Sequence, residues 1–374
     1  MGGTARARSA RRAVLAAALA CVALVLAARG VRAGESAGPR RPDGERPVVV
    51  IVAENQGTET TDFLVPFGVL SASGAAEVVA ASTQAGPVQL MPALEIETSE
   101  TLSGFDAKHP EGADYVVVPA MHDREDASLV AWLRGQGELG ATLVGICDGA
   151  WLVAATGRLE GHTATAHWYS RAELAKRYPG TTWVEDRRFV DDGDVVTTTG
   201  VSASLPASLH LVERMAGRAR AEAVAHELGV VGWSAAHHGE DFRLSFWPIA
   251  TGAWSWLAFW THEPVGIPVA PGVDEVSLGL TADALARTLR ATPITVADTA
   301  APLSTRFGLA LVPDATRADA TDLRLEALDA PPGRALDRAL DRIQAAYGRG
   351  TADLVSLELE YPRPVYSSAA AASR

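Results

Sequence analysis

At 374 residues the chain has room for two domains at roughly 100–200 residues each. With 48% apolar and 21% charged residues it can bury a core, which excludes global disorder. Residues 1–33 hold six arginines and no acid, so the remainder carries 27 basic against 45 acidic residues, net −18; such a surface repels phosphate backbones, and no nucleic-acid partner is expected.

The chain opens with Arg6, Arg8, Arg11 and Arg12, then an apolar run over residues 13–28, then the small-residue sites of Val31-Arg32-Ala33. Charged, apolar, small is the order of a secretory signal. The 16-residue run is shorter than the roughly 18–20 residues of a comfortable membrane span, so a cleaved signal is favoured over membrane attachment through residues 13–28. The expected location is extracytoplasmic, periplasmic or secreted. Cys21 lies inside the run, so its removal leaves Cys147 as the single cysteine, with no internal disulfide. Residues 34–46 are polar and rich in Pro and Gly, a linker.

From residue 47 a β-branched run, PVVVIVA, reads as a buried parallel strand. DFLVPFGVLSAS reads as a helix ended by Gly74, EVVAAST and VQLMPAL as strands, ADYVVVPAM as another buried strand and DASLVAWLRGQGELG as an amphipathic helix. ATLVGICDGAWLVAATG is strand, sharp turn, helix. HTATAHW reads as a strand, SRAELAKRYP as a helix, RRFVDDGDVVTTTG as a hairpin turning at Asp192-Gly193, and SLPASLHLVERMAG as a helix. This alternation predicts an α/β fold with a flavodoxin-like parallel sheet sandwiched by helices, its site beyond the carboxyl ends of the strands. After residue 226 the pattern changes. Residues 244–260 are aromatic, uncharged and close to span length, but Pro248 and Gly252 favour packing on the first domain. Helices over DEVSLGLTADALARTLR and PGRALDRALDRIQAAYG and strands over TPITVAD, RFGLALVPD and LVSLELEY make residues 226–364 a smaller α+β region without a chemical motif. Residues 365–374 form a tail.

Gly145-Ile146-Cys147-Asp148-Gly149 has the G-x-C-x-G form where a strand turns into a helix. A nucleophile on so sharp a turn takes a strained backbone, and flanking glycines relieve the crowding. The amides of the next helix would favour a thiolate reactive below pH 7 and later hold an oxyanion. A buried structural cysteine is the competing reading.

The stretch GICDGAWLVAATGRLEGHTATAHW, with TDFLVPFGVL and RFVDDGDVVTTTGVSASLPASLHLVE, resembles the ThiJ/PfpI (DJ-one-like) superfamily within the class I glutamine-amidotransferase-like fold. It looks closest to isonitrile hydratase and to the sensor domains of AraC-type regulators. The resemblance covers residues 47–217 and implies several site residues. Asp62, four before Pro66, stands where the family sets a carboxylate against the cysteine; a helix N-cap is its alternative role. His167 matches a histidine that many members bring near the sulfur. Asp148 departs from the usual His, Thr or Ala and would raise the thiol pKa or share the acid/base role. Val118-Pro119-Ala120-Met121-His122 replaces the usual Pro-Gly-Gly, which sets Ala120, Met121 and His122 on the rim of the oxyanion pocket beside Gly149, with Ser202 and Thr199 as lining or caps.

His226, His237, His238 and Asp241 are too loosely spaced for a metal site, and no cofactor is expected. Two functions remain. One is a cysteine-dependent hydrolase, hydratase or lyase acting on a small electrophile, with glyoxalase-like chemistry included; the other is a module that senses a ligand or redox state through the same pocket. The partner in either case is a small molecule. Dimers are common in the family, so the resemblance also carries the expectation of a homodimer.

Overall fold

The computed structural model describes residues 45–242, 262–321 and 323–362, all within one compact unit. The signal segment, most of the linker, the aromatic segment 244–260 and the tail 365–374 lie outside the described residues. Among the described residues no helix is long and apolar enough to cross a membrane.

Seven strands form the main sheet: β1 (Val48–Ala53), β2 (Glu77–Ser82), β3 (Glu100–Thr101), β4 (Tyr115–Val118), β5 (Thr142–Gly145), β6 (Phe189–Asp191) and β7 (Val195–Thr198). Their order is β6-β7-β5-β4-β1-β2-β3, parallel except for edge strand β6, which forms the expected hairpin with β7. Gly193 supplies the turn at φ 82°, a conformation that favours glycine. The helices are α1 (Thr60–Ser73), α2 (Leu102–Lys108), α3 (Ala127–Glu138), α4 (Ala150–Ala155), α5 (Arg171–Arg177), α6 (Ser204–Ala216), α7 (Arg218–Glu227), α8 (Glu275–Ala286), α9 (Ala335–Tyr347) and α10 (Arg349–Glu358). The placement of β1 explains why its sequence is uniformly apolar. Val49, Ile51 and Ala53 point into one core with Phe63, Leu70 and Leu209, while Val48, Val50 and Val52 point into the other with Leu129, Leu133 and Leu152.

The C-terminal region builds a second parallel sheet from β8 (Glu263–Pro268), β9 (Ala291–Ala297), β10 (Ala315–Thr316) and β11 (Arg324–Leu325). β8-α8-β9 repeats the strand, helix, parallel strand order of β1-α1-β2. Each helix begins on an acidic cap: Glu59 accepts from the Asp62 amide at 2.6 Å, and Asp274 from the Ser277 amide at 2.9 Å. The two helices pack on each other through small residues. A Cβ at Gly68 would stand 2.8 Å from Val276 Cγ2, and one at Gly279 would stand 3.1 Å from Leu64 Cβ. Alongside them the hairpins Pro87–Met91/Glu95–Glu97 and Leu303–Ser304/Ala310–Val312 join edge to edge, Ile96 opposite Leu311. Leu64 and Phe67 therefore share one core with Val276, Leu280 and Leu336.

Two expected strands take other forms. LVSLELEY alternates apolar and polar residues, which suggested a strand, but residues 349–358 are helix α10. Ala352, Val355, Ser356 and Leu359 are buried at helical spacing, so the 3.6-residue period is the one that packing selects. In HTATAHW only Thr163–Ala164 is strand; it pairs with Thr182–Trp183 in a two-stranded ribbon outside the main sheet. His167 therefore leaves a turn instead of a core strand.

Candidate functional site

Directly after β5 the chain turns at Cys147, whose φ of 53° lies in the left-handed region and costs a non-glycine residue about 1–2 kcal/mol. Its amide donates to Thr198 Oγ1 at 2.9 Å, which ties the turn to β7. Gly149 is obligatory, because a Cβ there would stand 1.9 Å from the Val118 carbonyl oxygen. A single 3₁₀ turn, Cys147–Gly149, separates the sulfur from the start of α4. The residue is 6% exposed. Burial, then the carboxylates of Asp62, Asp148 and Glu59, push the Cys147 thiol well above its ordinary value, with Arg287 pulling the other way. This corrects the expectation of a thiolate below pH 7: dehydration and like charge outweigh the short turn's amides.

Asp62 stands on the first turn of α1 and is fully buried. Its Oδ2 accepts from the Ala120 amide at 3.2 Å, and Oδ1 lies 3.2 Å from Ser204 Oγ. Burial lifts its carboxyl from 3.8 to about 7, against the lowering pull of the Ala120 amide. The Ser204 hydroxyl lies closer to the Val201 carbonyl, at 2.7 Å. One hydroxyl proton serves one acceptor well, so a protonated Asp62 is free to donate to Ser204 Oγ. The capping role weighed for Asp62 belongs to Glu59.

Three residues that sequence reasoning missed complete this cluster, all from the C-terminal region. Arg287, just past α8, donates from Nη2 to Glu59 Oε1 at 2.8 Å and from Nε to Asp283 Oδ1 at 2.6 Å, with Nη1 3.9 Å from Glu358 Oε2. Asp283 also accepts from Thr61 Oγ1 at 2.9 Å. One guanidinium thus serves three carboxylates, with Asp62 adjoining, too little charge to keep all four ionised in a buried place. Burial raises Glu59, with Asp283 and Asp62 adding to it, and raises Glu358 to about 7. The i, i+4 spacing of Asp283 and Arg287 is visible in the sequence, but what it faces is not.

Asp148 turns aside: Oδ2 accepts from Ser170 Oγ at 2.9 Å and pairs with Arg124 Nη2 at 3.5 Å. His167 does not face the sulfur as a free base, since its Nε2 lies 3.1 Å from the Glu358 carbonyl oxygen and its Nδ1 faces the Tyr169 amide at 3.4 Å. Three of the amides expected at the oxyanion pocket are also engaged. Ala120 N–H serves Asp62, His122 N–H serves the Gly57 carbonyl at 2.8 Å, and Gly149 N–H serves the Ile146 carbonyl at 2.7 Å. Met121 is buried on the rim and His122 exposed. Ser202 holds the chain end instead, donating from Oγ to the Glu360 carbonyl at 2.7 Å and from its amide to the Leu359 carbonyl at 3.0 Å. Thr199 Oγ1 is buried without a partner among the described residues. Glu360, buried at φ 52°, accepts from the Gly200 amide at 2.6 Å and lies 2.8 Å from His237 Nε2, so residues 357–361 strap the elbow's neighbourhood. His238 is exposed near Glu240, and no group of three metal-binding side chains gathers among the described residues.

The DJ-1/PfpI family model matches residues 46–214, the span that holds the elbow and Asp62. Residues 46–214 are a DJ-1/PfpI domain. Over 95 residues the chain is 30% identical to the HTH-type transcriptional regulator GbdR of Pseudomonas aeruginosa, covering 25% of this chain and 26% of that protein. It is 30% identical to an isonitrile hydratase of Pseudomonas putida over 146 residues, 39% of this chain and 60% of that one. It is 25% identical to protein dj-1beta of Drosophila melanogaster over 177 residues, 46% and 91%. The crystal structure of that fly protein superposes with a TM-score of 0.46 at 22% identity, covering 50% of this chain and all of the other. The chain thus spans about a quarter of the length of the GbdR regulator that it matches. Arg287, Asp283 and Glu358 all lie beyond the DJ-1/PfpI domain.

Proposed function

We propose that this chain is a cysteine-dependent hydrolase or hydratase that acts on a small, uncharged electrophile in an extracytoplasmic compartment. One observation carries the reading: a wholly buried carboxyl, Asp62, raised to about 7, adjoins the elbow thiol that its charge perturbs. A group with that pKa is half ionised near neutrality, the best condition for moving a proton in either direction. In its ionised form Asp62 takes the Cys147 proton as sulfur bonds to the electrophilic carbon. As the acid it returns that proton to the substrate, and water then releases the product. The surplus of carboxylates around Arg287 disfavours an anionic substrate. Similarity to an isonitrile hydratase supports the small-electrophile class. The arginines, short apolar run and small residues of 1–33 support export with cleavage, and the net charge of −18 after it argues against nucleic acid.

A second reading, a non-catalytic ligand- or redox-sensing module, draws on the 6% exposure of Cys147 and its raised thiol pKa, and on the regulators among the relatives. Turnover separates the two. Full-length protein would be assayed against neutral isonitriles, aldehydes and amides, beside Cys147→Ala and Asp62→Asn. Turnover in the parent, lost in both variants, supports the enzyme; saturable binding without turnover of any of them establishes the module.

A further inference from the structure

A cavity of about 530 Å³ opens between the DJ-1/PfpI domain and the C-terminal region. Of the residues placed around Cys147 above, Ser202 and Tyr361 of the strap line it, and Cys147 and Asp62 do not. Leu205, Val230 and Trp233 give it an apolar wall. Its charged groups are Arg188, Arg334 and Asp337, and two of them satisfy each other: Asp337 accepts from Arg334 Nη1 at 2.9 Å and from the Tyr361 hydroxyl at 2.5 Å.

Arg188 is left over. It precedes β6, its backbone amide is tied to the Ala235 carbonyl at 2.8 Å, and its guanidinium makes no hydrogen bond or ion pair among the described residues. Tyr361 and then Glu360 are near enough to be felt, but the Tyr361 hydroxyl is committed to Asp337 and the Glu360 oxygens to His237, Gly200 and Trp168. Burial pulls the Arg188 pKa down, with Tyr361 and Glu360 pulling the other way. Partly dehydrated cations normally find a partner, so an unpaired one aimed into a cavity is an open half of an ion pair. A planar guanidinium matches a carboxylate in bidentate fashion, and the apolar wall asks for a hydrophobic body on that carboxylate. The Ser234 oxygen accepts from the Ala236 amide at 3.3 Å, which leaves its proton for the same anion. From these we infer that the cavity is a binding site for a small organic carboxylate with an apolar body, anchored by Arg188 and separate from the cysteine chemistry.

Calorimetric titration of the full chain with phenylacetate and hexanoate, against their amides and inorganic phosphate, tests this. The carboxylates are expected to bind saturably, the amides and phosphate at least about tenfold more weakly, and Arg188→Gln to weaken carboxylate binding about 10–100-fold. Arg188→Lys should retain part of the affinity, and Cys147→Ala all of it, which separates this site from the proposed reaction. Arg188→Gln should melt no lower than the parent, because it removes an unpaired cation. Absence of saturable carboxylate binding up to roughly 10 mM, unchanged binding in folded Arg188→Gln, or a marked loss of melting temperature in that variant would each overturn the assignment.

Discussion

Replacing Asp62 with Asn tests the buried carboxyl directly, because Asn matches its shape and removes its titration. The folded pKa of about 7 lies above the ordinary 3.8, so between those values the native state holds a proton that the unfolded chain has released. Stability from this group is fully present below pH 3.8 and falls as pH rises through 7. At about 1.4 kcal/mol per pH unit, the interval from 3.8 to about 7 amounts to roughly 4 kcal/mol. Asn carries no such penalty. Its oxygen can accept the Ala120 amide and its NH₂ can donate to Ser204 Oγ, so both existing contacts are kept. The variant should therefore match the parent near pH 4 and exceed it by up to about 4 kcal/mol at pH 8, while losing any turnover. Urea unfolding of both proteins at half-unit steps from pH 4 to 8.5 gives the difference as a function of pH, in which titrations common to both largely cancel. A difference that stays flat with pH, or a variant less stable than the parent at pH 8, would refute the claim that Asp62 is dehydrated and proton-holding.

Alkylation of Cys147 by iodoacetamide should be slow at pH 7 and rise steeply above pH 9, and in Asp62→Asn the profile should shift to lower pH, since a like charge is gone; full reactivity of the parent at pH 6 would contradict this. Gly149→Ala should lose roughly 3 kcal/mol or more in urea unfolding, because its methyl group meets the Val118 carbonyl at 1.9 Å; Gly145→Ala, 3.1 Å from the Ala150 amide, should lose less. Arg287→Met leaves Glu59 and Asp283 without their cation and should cost about 3–5 kcal/mol at pH 8. Part of that loss should return at pH 5, where the raised Glu59 carboxyl is protonated; a cost independent of pH would mean that Arg287 acts by packing alone.

The parallel sheet and the elbow were legible because the physics that sets them is local. β1 reads as six apolar residues because both faces are covered, and Gly149 is demanded by a carbonyl only one strand away. The proton-sharing cluster was not legible, because its members meet across 228 positions between Glu59 and Arg287. The identity of Asp62 as the perturbed acid came from the family resemblance, yet its capping role passes to Glu59, which a one-turn difference in helix start conceals. His167 and the chain end were misjudged together. Short segments of alternating pattern fit two periods, and only the packing of α10 against α9 and the pairing of Thr163–Ala164 with Thr182–Trp183 decide between them.

The C-terminal region gains a role from this arrangement. A buried Asp62 and Glu59 without Arg287 would be driven fully neutral, and a thiol beside two neutral acids has no base to give its proton to. With three ionised neighbours and no cation, the sulfur could not ionise at all. On the proposed enzyme reading, Arg287 lies between those extremes: its charge lowers the raised carboxyls of Glu59 and Asp62 without cancelling the effect of burial. The repeated strand–helix–strand unit places it there: α8 packs on α1 at Gly68 and Gly279, and that close approach brings the end of one helix beside the acidic start of the other. Widening that contact with Gly279→Leu, far from the sulfur, should therefore lower turnover and shift its pH profile together. A fall in stability with an unchanged pH profile would show that the contact serves packing only.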